Sequence, residues 1–302
     1  MRVVVTGAAG SLGHALLPRL ARAGHDAVGF DVRRGTGPAE WMVGDVRRHG
    51  DVARSIAGAD VVVHGAALHG IHLADHSPRE FYDLNVTGTF NVWAAAVAHS
   101  VKGVVFSSSM GVYGESRRPD GGADVAFVHE DMPLEPADVY GWTKVVGEEL
   151  SRYHLREHGI ASVALRFGMF VPETFFRYGI RLLYGGVHVD DAAESVMAAI
   201  DALASGRVTH EAFNVEAPLP FTDADARGLR DDPLAVLDRH WPGAASLLHE
   251  RGVRSLKPVT AVFPIARLEA KLSLRPAHDF GSWLDELARR PEERTASDPP
   301  WP

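Results

Sequence analysis

Tyr140 and Lys144 stand at i and i+4. On a helix that spacing puts both side chains on one face. An ammonium beside a phenol favours the phenolate and lowers its pKa. A tyrosine tuned in this way can pass a proton to or from a secondary alcohol near neutral pH. An exposed tyrosine with a solvated lysine has the same spacing, so the pair needs support from elsewhere. Upstream, Val104-Val105-Phe106 runs into Ser107-Ser108-Ser109-Met110-Gly111. A buried strand that ends in serines at the carboxyl edge of an α/β sheet offers a hydroxyl to a substrate oxygen. Strand-end turns also use serine for their own hydrogen bonds.

A second chemical feature opens the chain. Arg2-Val3-Val4-Val5 is a short apolar run, and Thr6-Gly7-Ala8-Ala9-Gly10-Ser11-Leu12-Gly13 follows it directly. A strand that ends in a glycine-rich turn and opens a helix brings backbone N–H groups up to a pyrophosphate. Gly7 permits the tight turn, Gly10 lets phosphates approach, and Gly13 lets the helix pack on the strand. The spacing is G-x-x-G-x-x-G, a variant of the commoner fingerprint. Asp31 ends the next apolar run, where a carboxylate accepts both ribose hydroxyls of NAD and repels a 2′-phosphate. Arg33 and Arg34 follow it and would suit that phosphate. The acidic residue holds the more decisive place, so NAD is the expected cofactor.

These residues need a scaffold, and the chain predicts one. Apolar runs at Val3–Val5, Ala27–Phe30, Val61–His64, Val104–Phe106, Val163–Leu165 and Ala212–Val215 alternate with helical patterns. The helices fall at about Ser11–Ala23, Val52–Ile56, Pro78–His99, Tyr140–His158 and Asp190–Ala204. Such alternation indicates an α/β fold, a doubly wound Rossmann-type parallel sheet with helices on both faces. Ser77, Pro78 and Glu80 form a capping box at the start of the third helix. Pro18 falls inside the first helix and is expected to kink it. Segment 114–138, with Arg117, Arg118, Asp120, Gly121 and Gly122, reads as a long mobile loop beside the site. After 216 the alternation stops, and short helices at Leu234–His240 and Ala266–Leu272 suggest a small C-terminal substrate-binding cap. The domain expectation is a dinucleotide-binding unit over 1–165, completed by about 187–215. Residues 166–186 and 216–290 then form the cap, and 291–302 a frayed tail.

Composition narrows the classes. The 302 residues are 46% apolar, carry a formal charge of −8 and include no cysteine. No basic tract offers a nucleic-acid surface, and neither disulfides nor a thiolate metal site can form. No apolar run reaches membrane-spanning length. The first strand leaves no room for a signal peptide, so a cytoplasmic location is expected.

Taken together, these motifs resemble the extended short-chain dehydrogenases/reductases, of the NAD-dependent epimerase/dehydratase group. The resemblance runs from residue 1 to about 280. It rests on the glycine turn, His64-Gly65-Ala66-Ala67, Asn85 in Leu84-Asn85-Val86-Thr87-Gly88-Thr89, the Ser107-Ser108-Ser109 to Val112-Tyr113-Gly114 run, Tyr140 with Lys144, Leu165-Arg166, and Val187-His188-Val189-Asp190-Asp191. It implies Tyr140 as general acid/base, Lys144 as its pKa partner and a ribose ligand, and Ser109 as the polarising hydroxyl. It further implies cofactor contacts from Gly7, Gly10, Ser11, Leu12, Gly13, Gly65, Ala66 and Ala67. Asp45 and Val46 look like the family's adenine-edge contact, a position that a plain helix cap would also occupy. Asn85 is implied beside the cofactor, although it could equally bond adjacent backbone. A homodimer is implied through helices near 78–99 and 140–158, which carry apolar residues beyond one buried stripe, such as Phe90 and Trp93.

The substrate side is read from length and charge. Members acting on nucleotide sugars carry a long segment between the Leu-Arg strand and the Val-His-Val-Asp-Asp motif, and here Arg166 and His188 lie close in sequence. A small non-nucleotide substrate is therefore expected. Residues 166–173 resemble the corresponding segment of uronate dehydrogenases, while Ser109-Met110-Gly111 is closer to epimerases. Met110 and Gly111 replace the acidic pair of a 4,6-dehydratase. Arg177 or Arg181 could hold a carboxylate by a bidentate pair, and His69 and Met110 are expected at the substrate. Arg227, Arg230 and Arg239 of the cap offer phosphate contacts if the substrate does carry a nucleotide. His69, His72 and His76 have spacings that could bind zinc, but no metal is expected, and a surface loop explains His72 and His76 as well. The expected function is hydride transfer between NAD and a secondary or anomeric hydroxyl of a small sugar or sugar-acid-like substrate. A sugar or nucleotide-sugar epimerase acting by transient oxidation is the alternative. A non-catalytic NAD-binding sensor is another, which would have no need of Ser109, Tyr140 and Lys144 together.

Overall fold

The computed structural model describes residues 1–119 and 121–295. Its first half alternates β1 (Arg2–Thr6), α1 (Ser11–Arg22), β2 (Asp26–Asp31), β3 (Glu40–Val43), α2 (His49–Ile56) and β4 (Val61–His64). There follow α3 (Pro78–Phe81), a π-helical turn (Tyr82–Thr87), α4 (Gly88–Ala98), β5 (Gly103–Ser109), the short β6 (Ala126–Phe127), α5 (Val139–His158) and β7 (Ala161–Phe167). The remainder comprises α6 (Phe175–Arg181), α7 (Val189–Ala204), β8 (His210–Val215), α8 (Ala226–Asp231), α9 (Pro233–His240), α10 (Ala244–Glu250), β9 (Ala261–Val262), α11 (Ala266–Leu272) and α12 (Phe280–Ala288).

Among the described residues, seven strands form one parallel sheet in the order β3-β2-β1-β4-β5-β7-β8. Successive side chains of a strand point to opposite faces, and the two cores follow that rule. Val3 and Val5 of β1 join Leu16 and Leu20 of α1 and Val196 and Ile200 of α7 on one face. Val4 joins Val52 and Ile56 of α2 and Val92 and Trp93 of α4 on the other, so Trp93 packs on the sheet and is not the expected apolar residue beyond the buried stripe. Strand order reverses between β1 and β4, which opens a crevice at the carboxyl ends of the strands. A separate core of Phe176, Ile180, Leu229, Leu237, Leu248 and Trp283 belongs to α6 and the segments after 216.

Three local features depart from expectation. β3 lies outside the expected strands: Trp41-Met42-Val43 is a short apolar run, but it sits at the sheet edge with no fully buried residue and follows the Gly/Pro-containing stretch 35–38, which reads as loop. The helix expected to run unbroken over 78–99 contains the π-helical turn, a feature often found beside functional sites; its capping box at Ser77 and Glu80 is present. α6 lies where only a link was expected, and the Thr174 hydroxyl caps it by accepting from the Arg177 N–H. Pro18 does lie within α1. The base of the 114–138 loop is tied: Gly114 takes φ +46°, the Glu115 N–H donates to the Glu135 carbonyl at 2.8 Å, and β6 pairs in parallel with β9. Asp120 lies outside the described residues. Of the tail, the Thr295 N–H donates to the Arg251 carbonyl at 2.9 Å, and 296–302 lie outside the described residues. No helix of the described residues is long and apolar enough to cross a membrane.

Candidate active site

A cleft of about 720 Å³ runs along the carboxyl edge of the sheet. Its wall includes Gly7, Gly10, Ser11, Leu12 and Gly13, then Asp31, Asp45 and Val46, then Gly65, Ala66, Ala67 and His69, and finally Ser109, Met110, Tyr140 and Lys144. Asn85 and Arg177, also expected at the site, are not part of that wall.

The β1–α1 end has the features of an anion cradle. Gly7 holds φ +70°, and a Cβ there would lie 2.7 Å from the Ala66 nitrogen. A Cβ on Gly13 would lie 2.2 Å from the Ala8 carbonyl oxygen, so only glycine lets α1 sit this close. A Cβ on Gly10 would approach nothing but the Gly7 carbonyl, at 3.2 Å, leaving its outer side open. No side chain caps α1, so its first N–H groups are left for a ligand. Asp31 accepts from the backbone N–H groups of Ala9 at 3.1 Å and Arg33 at 3.0 Å. The Asp45 carboxylate is held by Arg47 at 2.6 Å, which keeps it below the usual range. Ser107 Oγ is buried against the cleft without a partner among the described residues. An open cradle, an unpaired buried hydroxyl and a carboxylate at the end of β2 suit a dinucleotide.

At the other end the β5 terminus meets α5. Ser109 Oγ accepts from the Gly111 N–H at 3.0 Å and hydrogen-bonds the Tyr140 hydroxyl. Asp138 starts α5 by accepting from the Gly141 N–H at 2.7 Å, so Tyr140 occupies the first turn beside Ser109. Lys144, one turn on, is buried and donates to the Ser107 carbonyl at 2.6 Å. Its nitrogen lies 5.8 Å from the Tyr140 ring centre. Burial pushes Lys144 down to about 7, against the opposing charge of Glu148. Burial also pushes Tyr140 up to about 12, against the hydrogen bond from Ser109. The expected lowering of the phenol by Lys144 is therefore corrected: the lysine proton is loosely held and directed at a carbonyl, and desolvation prevails.

Asn85 sits in the π-helical turn and acts as a brace. Its Nδ2 donates to the Leu68 carbonyl at 2.9 Å and to Thr143 Oγ1 at 3.0 Å, and its Oδ1 accepts from the Leu68 N–H at 2.8 Å. The His69 ring is 6.1 Å from that of Tyr140. His72 Nδ1 accepts from the His69 N–H at 2.8 Å, and His76 pairs with Glu80 at 3.1 Å. Arg177 stands outside the cleft wall, half-exposed and 3.7 Å from Glu173. Arg181 is buried in a fork with the same carboxylate at 2.6 and 2.7 Å. Both arginines thus already face a carboxylate. So do Arg227 with Asp231, Arg230 with Asp124 and Asp231, and Arg239 with Asp225.

Several further buried groups support the site. Arg166 clasps Glu148 through Nε at 3.0 Å and Nη2 at 2.7 Å. Glu148 also accepts from Ser108 Oγ at 2.6 Å, and Arg166 Nη1 reaches the Tyr113 hydroxyl at 2.9 Å. Tyr113 donates to Asn214 Oδ1 at 2.6 Å. This network ties β5, α5, β7 and β8 together directly beneath Ser109. Glu148 follows Lys144 by a further four residues on the same helix face, and an arginine within an apolar strand needs a buried anion; those two signals could have found the pair. Glu216, just after β8, carries the signal that singled out Asp31, an acid at a strand's carboxyl end. It is buried, neither oxygen has a partner among the described residues, and burial pushes it well above the usual carboxylate range despite Arg117.

Comparisons with known proteins agree with this geometry. The profile of the NAD dependent epimerase/dehydratase family matches residues 3–174. An L-arabinose 1-dehydrogenase (NAD(P)(+)) of Haloferax volcanii is 34% identical over 173 residues, covering 55% of this chain and 66% of the relative. A UDP-glucose 4-epimerase of Corynebacterium glutamicum is 33% identical over 174 residues, covering 55% of this chain and 50% of the relative. The matched region thus spans half to about two-thirds of these relatives' length. In fold, the chain is similar over 96% of both lengths to a short-chain dehydrogenase/reductase superfamily protein from Agrobacterium tumefaciens solved with bound NAD, with a TM-score of 0.73 and 24% identity.

Proposed function

Because the chain belongs to the NAD dependent epimerase/dehydratase family, we propose that it transfers a hydride between NAD and a secondary or anomeric hydroxyl of a small sugar or sugar-acid-like substrate. The observation that carries this reading is the convergence of Ser109, Tyr140 and Lys144 at one end of the cleft that opens on the β1–α1 glycine turn. Gly7, Gly10, Gly13 and the start of α1 would hold the pyrophosphate, Asp31 a ribose, Asp45 and Val46 the adenine edge, and Lys144 the second ribose. When bound, NAD supplies the hydride acceptor.

The chain's own residues manage the proton. Ser109 donates to the substrate oxygen and fixes its position relative to Tyr140. Tyr140 takes the hydroxyl proton during oxidation and returns it during reduction. At rest its phenol holds that proton firmly, because burial penalises the phenolate. Lys144 titrates near neutrality, so a small change of charge in the cleft tips it between amine and ammonium. The ammonium form favours the phenolate. Asn85 keeps the Leu68 strand-end loop and α5 in register through Leu68 and Thr143.

Likeness to a UDP-glucose 4-epimerase supports a second reading, epimerisation by transient oxidation. The short segment from 166 to 188 and the arginines already paired with carboxylates favour a substrate without a nucleotide. An NAD-coupled absorbance screen over uronic acids, aldoses and nucleotide sugars tests both. Accumulation of NADH with a free sugar or sugar acid is expected. Conversion of a nucleotide sugar without net NADH would replace this reading by the epimerase.

The dinucleotide unit would occupy 1–165 with about 187–215, and the separate apolar core after 216 supports a substrate cap. Phe90, Trp142 and Tyr153 on α4 and α5 are 52%, 44% and 45% exposed, which supports an isologous homodimer through those helices. A monomeric mass by light scattering at micromolar concentration would exclude the dimer. A chain without cysteine fits a cytoplasmic location.

A further inference from the structure

Glu216 is the unexplained buried acid at the Ser109 end of the cleft. Its residue is 2% exposed, and neither oxygen meets a hydrogen-bonding group of the described residues. Burying an acid without a partner is unfavourable even when it is neutral, so a fold retains one where something else offsets the cost. Its position indicates what that is. A Cβ built on Gly168 would stand 2.0 Å from Glu216 Oε2 and 2.7 Å from the Gly185 carbonyl oxygen. The carboxyl therefore fills the space that a side chain at 168 would take. Gly168 is itself part of the cleft wall, next to Met169, so one glycine backbone separates the acid from the cleft. Gly185 abuts Met110, whose Cε would be 2.7 Å from a Cβ there. Met110 also lines the cleft, and an unbranched thioether chain readily repacks.

We propose that Glu216 is a specificity-determining residue whose carboxyl, reached past Gly168 as Met110 swings aside, hydrogen-bonds a substrate hydroxyl remote from the carbon being oxidised. This rests on the oxidoreductase reading above. A sugar hydroxyl donates once and accepts, and a neutral carboxyl does the same. The two satisfy each other and leave no orphan. A ligand without a hydroxyl at that position leaves the acid as unpaired as it is in the free protein and forgoes that gain, so it binds less tightly. The site thus selects polyhydroxylated substrates over simple alcohols and ketones.

Infrared difference spectroscopy of the NAD-loaded protein tests this with L-arabinose, D-glucuronate and D-galacturonate as separate probes. The carboxyl C=O band of Glu216 is assigned by its loss in Glu216→Gln, an isosteric change that keeps a hydrogen-bonding fork. A probe that the protein oxidises should shift that band. One of its monodeoxy analogues should leave the band in place and lose roughly 10–100-fold in kcat/KM, the worth of one unsatisfied buried group. Glu216→Ala should erase the preference between the two. An oxidised probe whose deoxy analogues all shift the band as it does, or that leaves the band unmoved, removes Glu216 from recognition and leaves the oxidoreductase reading standing. If none of the probes is bound or oxidised and the wider screen yields no NADH, the oxidoreductase reading falls, and the role of Glu216 falls with it.

Discussion

The two ends of the cleft are built on different principles. The β1–α1 end is made largely of near neighbours in sequence: Gly7 to Gly13 form one turn, and Asp31 accepts from the Ala9 and Arg33 N–H groups and lies 3.9 Å from the Arg33 side chain. Its polar groups are backbone N–H groups and the cleft-facing carboxylates of Asp31 and Asp45. The Ser109 end is assembled from four elements far apart in the chain. Glu148, Arg166, Tyr113 and Asn214 form one buried network beneath it, and Lys144 and Glu216 are buried beside it. The first end needs shape, which glycine supplies locally. The second needs charges held out of water, which only distant partners can compensate.

If that contrast is right, the two ends should fail differently. The largest effect is expected at Tyr140. Tyr140→Phe should lower turnover by roughly 10²–10⁴-fold while NADH binding, followed by fluorescence, stays within a few-fold. A parallel loss of NADH binding would mean that the two ends are not separable.

Glu148→Gln should come next, as a loss of stability. It leaves Arg166 buried beside a neutral amide, and breaking such a pair costs about 3–5 kcal/mol. Chemical denaturation should report that loss. A loss under 1 kcal/mol would show that Tyr113 and the Glu130 carbonyl suffice for the guanidinium.

At the glycine-turn end, where we propose the dinucleotide sits, a charge change should alter cofactor choice and leave the fold intact. Asp31→Ala should weaken NAD by about tenfold and narrow the gap to NADP, since the ribose acceptor and the repulsion of a 2′-phosphate go together. Wild-type protein that already prefers NADP would hand control to Arg33 or Arg34.

The last test concerns pH. Glu216 has a folded-state pKa raised by burial, so the folded chain holds its proton more tightly than the unfolded chain. Its contribution to stability is fully present below the unfolded value, near 4.5, and is lost as pH rises toward the folded value. Glu216→Gln removes that term. The melting temperature of the variant relative to wild type should therefore rise between pH 5 and pH 8. A constant difference across that range would mean that Glu216 ionises as an ordinary surface acid does.

The sequence by itself determined the parallel α/β scaffold and the glycine turn with Asp31 at one end of the cleft. Valine runs of strand length, a glycine spacing and an acid at a strand's end act over a few residues, and their meaning survives without knowing what packs nearby. It also aligned Tyr140 with Lys144, because helix periodicity is local. Only the tertiary structure decided the protonation of that pair, since desolvation depends on what covers it: Lys144 turned toward Ser107 and the phenol rose. It likewise decided that Arg177 and Arg181 face Glu173, that Asn85 braces Leu68, and that Arg166 answers Glu148. The edge strand β3 and the helix α6 escaped the sequence for a related reason, as short elements take their stability from neighbours that their own residues do not specify. Charge compensation inside a protein is a property of distances between segments, and those distances exist only once the chain has closed on itself.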